Sequence, residues 1–359
     1  MARVTLRNLA ERAGVSVSAA SHAVNGTGTL ALATREKILT KAREIGYVRD
    51  PALSKIAAER FQRGVASNVV FAAFIRTLSV VTPPRDYLAW VSDARVAEAA
   101  KKYSIEIRKS ETLRPEQLTQ SYFDRLADQG IELLFLTDLE NPEVFKGINL
   151  SRFVVVGIED TPSSLPYHRI EVDWGYAVRL CFEKLKKAGA QRIGFQTRLE
   201  VASSPQDRIR LGAYLSEGAV NPSLYCAPPL SIDVGMGDPV RRAANRKNLR
   251  KYLEEHRLDG LIGWFLDPLY GLREGGVRMP EDLQVALLLM RKDKAGSLGH
   301  YAPFSGVLQS DETLDTLFRT VFNMITHSER GEPELPMTFR LRHRWRDGET
   351  VTIQKEAGV

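Results

Sequence analysis

Cysteine is nearly missing from this 359-residue chain, and the two that occur, Cys181 and Cys226, form no C-x-x-C pair and have no histidine at metal-ligand spacing. They read as reduced, partly buried thiols, so neither a disulfide framework nor a zinc site is expected to hold the fold together. Histidine is equally scarce: His22, His168, His256, His300, His327 and His343 are scattered, as surface or capping residues are. No apolar run approaches the ~18 residues of a membrane span. The stretch Met1 to Arg12 is polar and amphipathic without an export signal, so a cytoplasmic location and no membrane partner are expected. The chain also lacks G-x-x-x-x-G-K-[ST], G-x-S-x-G and H-E-x-x-H, and its Gly235-Met236-Gly237 has no third glycine. An enzyme is therefore not expected, and no cofactor is implied.

What is present is unevenly spread. The net charge is +6, and residues 1–63 carry all of it: Arg3, Arg7, Arg12, Arg35, Lys37, Lys41, Arg43, Arg49, Lys55, Arg60 and Arg63 face only Glu11, Glu36, Glu44, Asp50 and Glu59. Beyond them acids and bases cancel. A basic small region joined to a neutral large one points to a polyanion as the partner of the former.

The basic region reads as three helices. Thr5 can cap a first helix whose Leu6, Leu9, Ala10 and Ala13 share one face, and Gly14 ends it. Ser16 offers a second cap, and Val17 to Val24 is long enough for a short helix with Ala20, Ala23 and Val24 turned inward. A third helix runs through Ile38, Leu39, Ala42 and Ile45 to Gly46, with Tyr47 closing the core.

The stretch VTLRNLAERAGVSVSAASHAVNG followed by TREKILTKAREIGYVRDPALSKIA closely resembles the headpiece of the lactose-repressor (LacI) family. The resemblance is ungapped and rests on Val4-Thr5-Leu6, Ala10, Ala13 to Ser18, Ser21, Val24-Asn25-Gly26, Thr34-Arg35-Glu36 and Gly46-Tyr47. It implies that the second helix enters the major groove of double-stranded DNA, where base edges differ in their donors and acceptors. Val17, Ser18 and His22 would then face the bases, while Thr5, Ser16, Ser21, Asn25 and Thr34 hold phosphates and fix register. The chain departs from the family where His22 replaces the usual arginine, which leaves the preferred bases open. Ala31 stands where a serine usually caps the third helix, a change worth about 1 kcal/mol unless Thr34 caps a shorter start.

Asp50-Pro51 opens a segment, Ala52 to Arg63, with helical potential and little apolar surface. The resemblance implies a hinge that folds on DNA, with Leu53 and Ile56 as its minor-groove residues and Ile56 at the wedge position; packing of both residues on the larger domain is the alternative.

From Val69 onward, short β-branched runs alternate with amphipathic stretches, as in parallel α/β architecture. The expected strands are Val69–Ile75, Ile105–Lys109, Leu133–Thr137, Phe153–Ile158, Ile193–Gln196, Gly260–Gly263 and Val285–Leu289. The expected helices are Ser92–Tyr103, Pro115–Gln129, Trp174–Ala188, Gln206–Glu217, Pro239–Glu255 and Asp311–His327. A weaker resemblance extends here through Phe153 to Val156, Val172-Asp173, Lys187 to Ile193 and Val277 to Asp282. It implies a small all-α helix-turn-helix headpiece plus an α/β periplasmic-binding-protein-like domain of two Rossmann-like subdomains. The boundaries expected are 1–50 for the headpiece, 51–64 for the hinge and 65–359 for effector sensing and dimerisation. Within the last, lobe 1 covers about 66–165 and 304–330, and lobe 2 about 166–303 and 331–359.

By the same resemblance a small-molecule effector such as a sugar lies between the lobes, at the ends of the strands. Glu159, Asp160, Asp173, Trp174, Arg208 and Asp267 are the candidate contacts, with Arg210 a rival to Arg208. The family's usual Asn-Asp pair is replaced by Trp264-Phe265-Leu266-Asp267, and Leu287 to Met290 leads into no aspartate, so a common sugar site is in doubt. The reading as a whole is a homodimeric transcriptional regulator, a repressor by resemblance, bound to a pseudopalindromic operator. The rival readings are a cytoplasmic solute-binding protein without gene control and an enzyme with no recognisable motif.

Overall fold

Thr5 Oγ1 accepts the N–H of Asn8 at 3.3 Å while Asn8 Oδ1 accepts the N–H of Thr5 at 3.0 Å, a reciprocal cap that starts helix α1 (Leu6–Ala13). Gly14 ends it at φ +67°, a left-handed conformation that glycine adopts without strain, and the N–H of Val15 returns to Ala10 O. Ser16 Oγ then accepts the N–H of Ala19 at 3.1 Å and opens α2 (Val17–Asn25). Helix α3 (Leu32–Glu44) starts from Ala31 with no side-chain cap, and Thr34 sits inside the helix, so the shorter start is not adopted. Leu9, Ala10, Ala13, Ala20, Ala23, Ile38 and Ala42 form the buried core, with Val24, Leu30, Ile45 and Tyr47 at its margin. Alanines dominate it, so the three helices pack closely around little apolar volume.

The computed structural model describes residues 5–25, 30–45, 47, 69–77, 94–137, 142–159, 161, 164–198, 205–233, 238–293, 296–309 and 311–353. The expected hinge, with Leu53 and Ile56, lies outside them, as does Asp160.

The larger region is built on two sheets. The first orders β12 (Thr338–Leu341), β5 (His168–Val172), β4 (Val154–Ile158), β3 (Ile131–Thr137), β1 (Val70–Thr77) and β2 (Ile105–Leu113), all parallel. The central strands are near-continuous apolar runs, as strands covered on both faces must be. On one face α4 (Ala94–Lys101) and α10 (Asp311–Thr326) pack Val96, Leu317, Phe318 and Val321 against Phe74, Phe135 and Val156. On the other, Phe123 and Leu126 of α5 (Gln120–Asp128) meet Leu134, Phe153 and Val155.

The second sheet orders β13 (Arg344–Arg346), β11 (Ser305–Leu308), β10 (Gln284–Met290), β9 (Gly260–Gly263), β6 (Arg192–Arg198) and β7 (Tyr225–Cys226), with β8 (Leu230–Ile232) also paired to β6. Only β13 runs antiparallel. One face carries α6 (Trp174–Lys187) and α7 (Pro205–Val220); the other carries α8 (Pro239–His256) and α9 (Leu266–Glu274). Both cysteines are free; Cys181 is fully buried in α6, which holds its thiol well above the usual range, and Cys226 is half-buried.

The chain crosses between the sheets later than the sequence suggested. It leaves the first sheet after Val172, leaves the second after Leu308, and passes from β12 to β13 between Leu341 and Arg344. The expected crossings near 166, 300 and 330 are therefore corrected: residues 168–172 and 338–341 lie in the first sheet and 305–308 in the second. The reason is that β5 and β12 are parallel partners extending the edge of the first sheet, in register from Thr338 opposite Arg169 to Leu341 opposite Val172. The crossings are stapled together. Asp173 caps α6 through the N–H of Tyr176, and its other carboxylate oxygen accepts from Arg342 Nε. His343 is buried beside the hydroxyl of Thr313 in the first turn of α10.

Candidate DNA-reading helix and interlobe site

A helix turns 100° per residue, so with Ala20 and Ala23 buried against α1 and α3, Ser18 and His22 come out on the opposite side of α2. Ser18 is exposed and His22 half-buried. Val17, in the first turn, is 45% exposed, an uncovered branched side chain where burial would be the rule. The structure thus brings the expected base-reading residues to one end and one outer side of α2. Of the expected phosphate contacts, Thr5 and Ser16 are exposed at helix N-termini with their hydroxyls in the caps, and Ser21 and Thr34 are half-buried. Asn25 is the last residue of α2. Arg7, Arg12, Lys37 and Arg43, on α1 and α3, are exposed.

In the larger region the C-terminal ends of the two sheets face each other. The face of α7 turned inward carries Gln206, Asp207, Arg210 and Tyr214, all buried. Asp207, with no exposed surface, accepts from Arg198 Nε at 2.6 Å on one oxygen and from Arg210 on the other. The Arg210 guanidinium carbon stands 4.2 Å from the centre of the Trp174 ring and 3.7 Å from that of Trp264, and the two indoles are 5.7 Å apart. Cation–π attraction and the ion pair together fix this arginine. Gln196 of β6 accepts the N–H groups of Trp264 and Phe265, just beyond β9, at 2.9 and 3.0 Å and so holds the second indole in place.

The first lobe meets this cluster through Glu159 and Glu171. Gln206 Nε2 donates to Glu171 Oε2 at 2.9 Å and to the carbonyl of Glu159 at 3.4 Å. Glu171 is buried between Arg169 and Arg340, and the Glu159 carboxylate accepts the N–H of Val172. On another side, Arg95 of α4 donates to the carbonyl of Lys292, just beyond β10, at 3.1 Å. Hydrogen bonds thus span the two lobes directly.

Of the expected effector contacts, Glu159 and Trp174 belong to this cluster. Arg208 does not: it is exposed on α7, and Arg210 is the arginine turned inward. Asp267 lies in the first turn of α9 with its carboxylate held by Arg246 at 2.8 and 3.1 Å. Asp173 serves the crossings. Arg198, Gln196, Gln206 and Asp207 were not singled out in the sequence. Among the described residues no group of three His, Cys, Asp or Glu could hold a metal, and no helix is long and apolar enough to cross a membrane.

Residues 5–50 match the family model described as bacterial regulatory proteins, lacI family. An HTH-type transcriptional regulator GalR of Streptococcus thermophilus is 21% identical over 350 residues, covering 92% of this chain and 95% of that one. A lac repressor dimer solved with operator and the anti-inducer ONPF shares the fold, with a TM-score of 0.57 at 17% identity over 97% of this chain and 99% of that one. A transcriptional regulator CelR–cellobiose complex matches with a TM-score of 0.55 at 18% identity over 97% and 100% of the two chains. Residues 5–50 thus match the model of the lacI family of bacterial regulatory proteins, and the paired sheets that follow share the fold of these solved regulators.

Proposed function

We propose that this protein is a cytoplasmic, sequence-specific transcriptional regulator, a repressor, that binds a pseudopalindromic operator as a homodimer and responds to a small molecule held between its lobes. The observation that carries the reading is the outer side of α2, where Val17, Ser18 and His22 are presented by a helix whose inner side is locked by Ala20 and Ala23. In the major groove Val17 touches a thymine methyl, Ser18 donates or accepts, and His22 donates to guanine N7 or O6. Thr5, Ser16, Ser21, Asn25 and Thr34 set the register on phosphates, and 51–64 acts as the hinge, with Leu53 and Ile56 at the minor groove.

The solved relatives lend support by what they hold: one is a dimer on operator, another carries cellobiose. The effector acts by favouring one arrangement of the two lobes over another, which moves the points from which the hinges emerge. Asp207, Arg210, Gln206 and Glu159 are where a ligand would meet both lobes at once. The test is a gel shift of the full chain on genomic fragments with competitor DNA across a salt series. Retention of discrete fragments, weakening steeply with salt, is expected; retention independent of sequence, or none, refutes the reading.

A further inference from the structure

The donors and acceptors of the interlobe cluster do not balance. Its acidic oxygens are largely committed: Asp207 gives one to Arg198 and the other to Arg210, and Glu171 gives its two to Arg169, Arg340 and Gln206. Glu159 binds the N–H of Val172, and Asp267, in the first turn of α9, is held by Arg246. The buried donors are in surplus. Trp174 Nε1, Gln196 Nε2 and Arg210 Nε have no hydrogen-bond partner among the described residues, and neither has Nη1 of Arg291, the residue that follows β10. The acceptor left over among these groups is Gln206 Oε1. Trp174 and Arg210 are each 2% exposed and Gln196 is fully buried, so water cannot be assumed to satisfy them freely.

Charge points the same way. Arg76 at the end of β1, Arg198 at the end of β6, Arg291 after β10 and Arg210 of α7 lie at or beyond the C-terminal ends of strands or on the inward face of α7. The acids are Asp207, Glu159 and Glu171, the last already paired with Arg169 and Arg340. A neutral polyol brings a donor with every hydroxyl and needs carboxylate or amide oxygens to receive them. Among the described residues this site has spent nearly all of its own. A carboxylate or phosphate brings acceptors only, and pairs best with guanidinium and indole N–H groups.

We infer that the effector of this regulator is a small organic anion whose carboxylate or phosphate is received by Arg210 and the donors around it, and not a neutral sugar. The inference rests on the proposed role of the cleft as the effector site, but binding is measured without DNA, so either reading can fail alone. Arg210 is the specificity residue: its Nη2 is fixed by Asp207 and its plane by the two indoles, while its Nε is left without a partner among the described residues.

The experiment follows tryptophan emission and thermal unfolding of the full-length protein at constant ionic strength. Inorganic phosphate, glucuronate and glucose 6-phosphate are each added beside glucose. At least one oxyanion is expected to change the emission saturably at millimolar concentration or below and to raise Tm, at least tenfold more potently than glucose. Arg210→Gln should abolish the response, while Arg242→Gln, exposed on α8, should keep it. If Arg210→Gln fails to fold, the comparison of oxyanions with glucose on the natural protein decides. A response to glucose equal to that of the anions, no response to any oxyanion, or an anion response that survives Arg210→Gln overturns the inference.

Discussion

Asp173 and Arg342 meet at 3.1 Å and so tie the first crossing between the lobes to the third. The two ends of this contact are unequal. The carboxylate is mostly buried and also caps α6 through Tyr176, whereas the Arg342 side chain is 67% exposed. Asp173→Ala should cost about 1–2 kcal/mol, the value of a lost cap. Arg342→Ala should cost less than about 1 kcal/mol, as exposed ion pairs do. Urea denaturation of both variants checks this, and equal losses would assign the stability to the ion pair instead.

His343 lies at that third crossing, and burial pushes its imidazole down to about 4. The unfolded chain, with an ordinary value near 6.5, binds the proton first as pH falls, so protonation favours unfolding. Stability should therefore be fully present above pH ~6.5 and fall through the window down to about 4, by up to about 3 kcal/mol from this group. The difference in unfolding free energy between the natural protein and His343→Gln, followed from pH 7 to 4.5, should narrow or reverse at the acid end. A constant difference would contradict the buried neutral imidazole.

Helix α3 begins at Ala31, whose backbone is extended as a capping residue's is but whose side chain accepts nothing. Ala31→Ser should supply the missing acceptor and stabilise the headpiece by about 1 kcal/mol. A rise in the helical signal and in the headpiece melting temperature is the readout; no change would mean that the first-turn N–H groups are already satisfied.

Asp207 sits buried between Arg198 and Arg210. Asp207→Asn would leave two buried guanidinium groups without their anion, a loss of about 3–5 kcal/mol when one partner of a buried pair is removed. Combining it with Arg198→Gln and Arg210→Gln should recover part of that loss in a mutant cycle. Strict additivity would show that the three residues do not act as a unit.

How much of this was legible beforehand follows from where each signal resides. Thr5, Gly14 and Ser16 are local stop and start signals, so the bounds of α1 and α2 could be read from the chain itself. Strand β9 is a bare apolar run and came out as expected. Strand β5 did not, because Arg169 and Glu171 interrupt its apolar pattern; they pair with each other, and Glu171 is also met by Arg340 and Gln206 from distant parts of the chain. Edge strands β12 and β13 carry too few apolar residues to show a period, and with them the crossings were missed. Helix α9 was hidden by Pro268 in its first turn and Gly271 in its middle. The choice between Arg208 and Arg210 depends on the phase of α7, which Tyr214 fixes by packing on Phe195 across the sheet. Neither residue carries that information alone.

The central claim is that Val17, Ser18 and His22 read a duplex. Selection of bound duplexes from a random library by the full-length protein at about 0.15 M salt, followed by affinity ratios for the natural chain and for Ser18→Ala and His22→Ala, tests it most directly. The account expects one pseudopalindromic sequence to be enriched, bound at least 1000-fold over random DNA at roughly the lower bound of specific recognition, with each variant relaxing the choice at particular base pairs. No enriched sequence, or identical preferences in all three proteins, would contradict it.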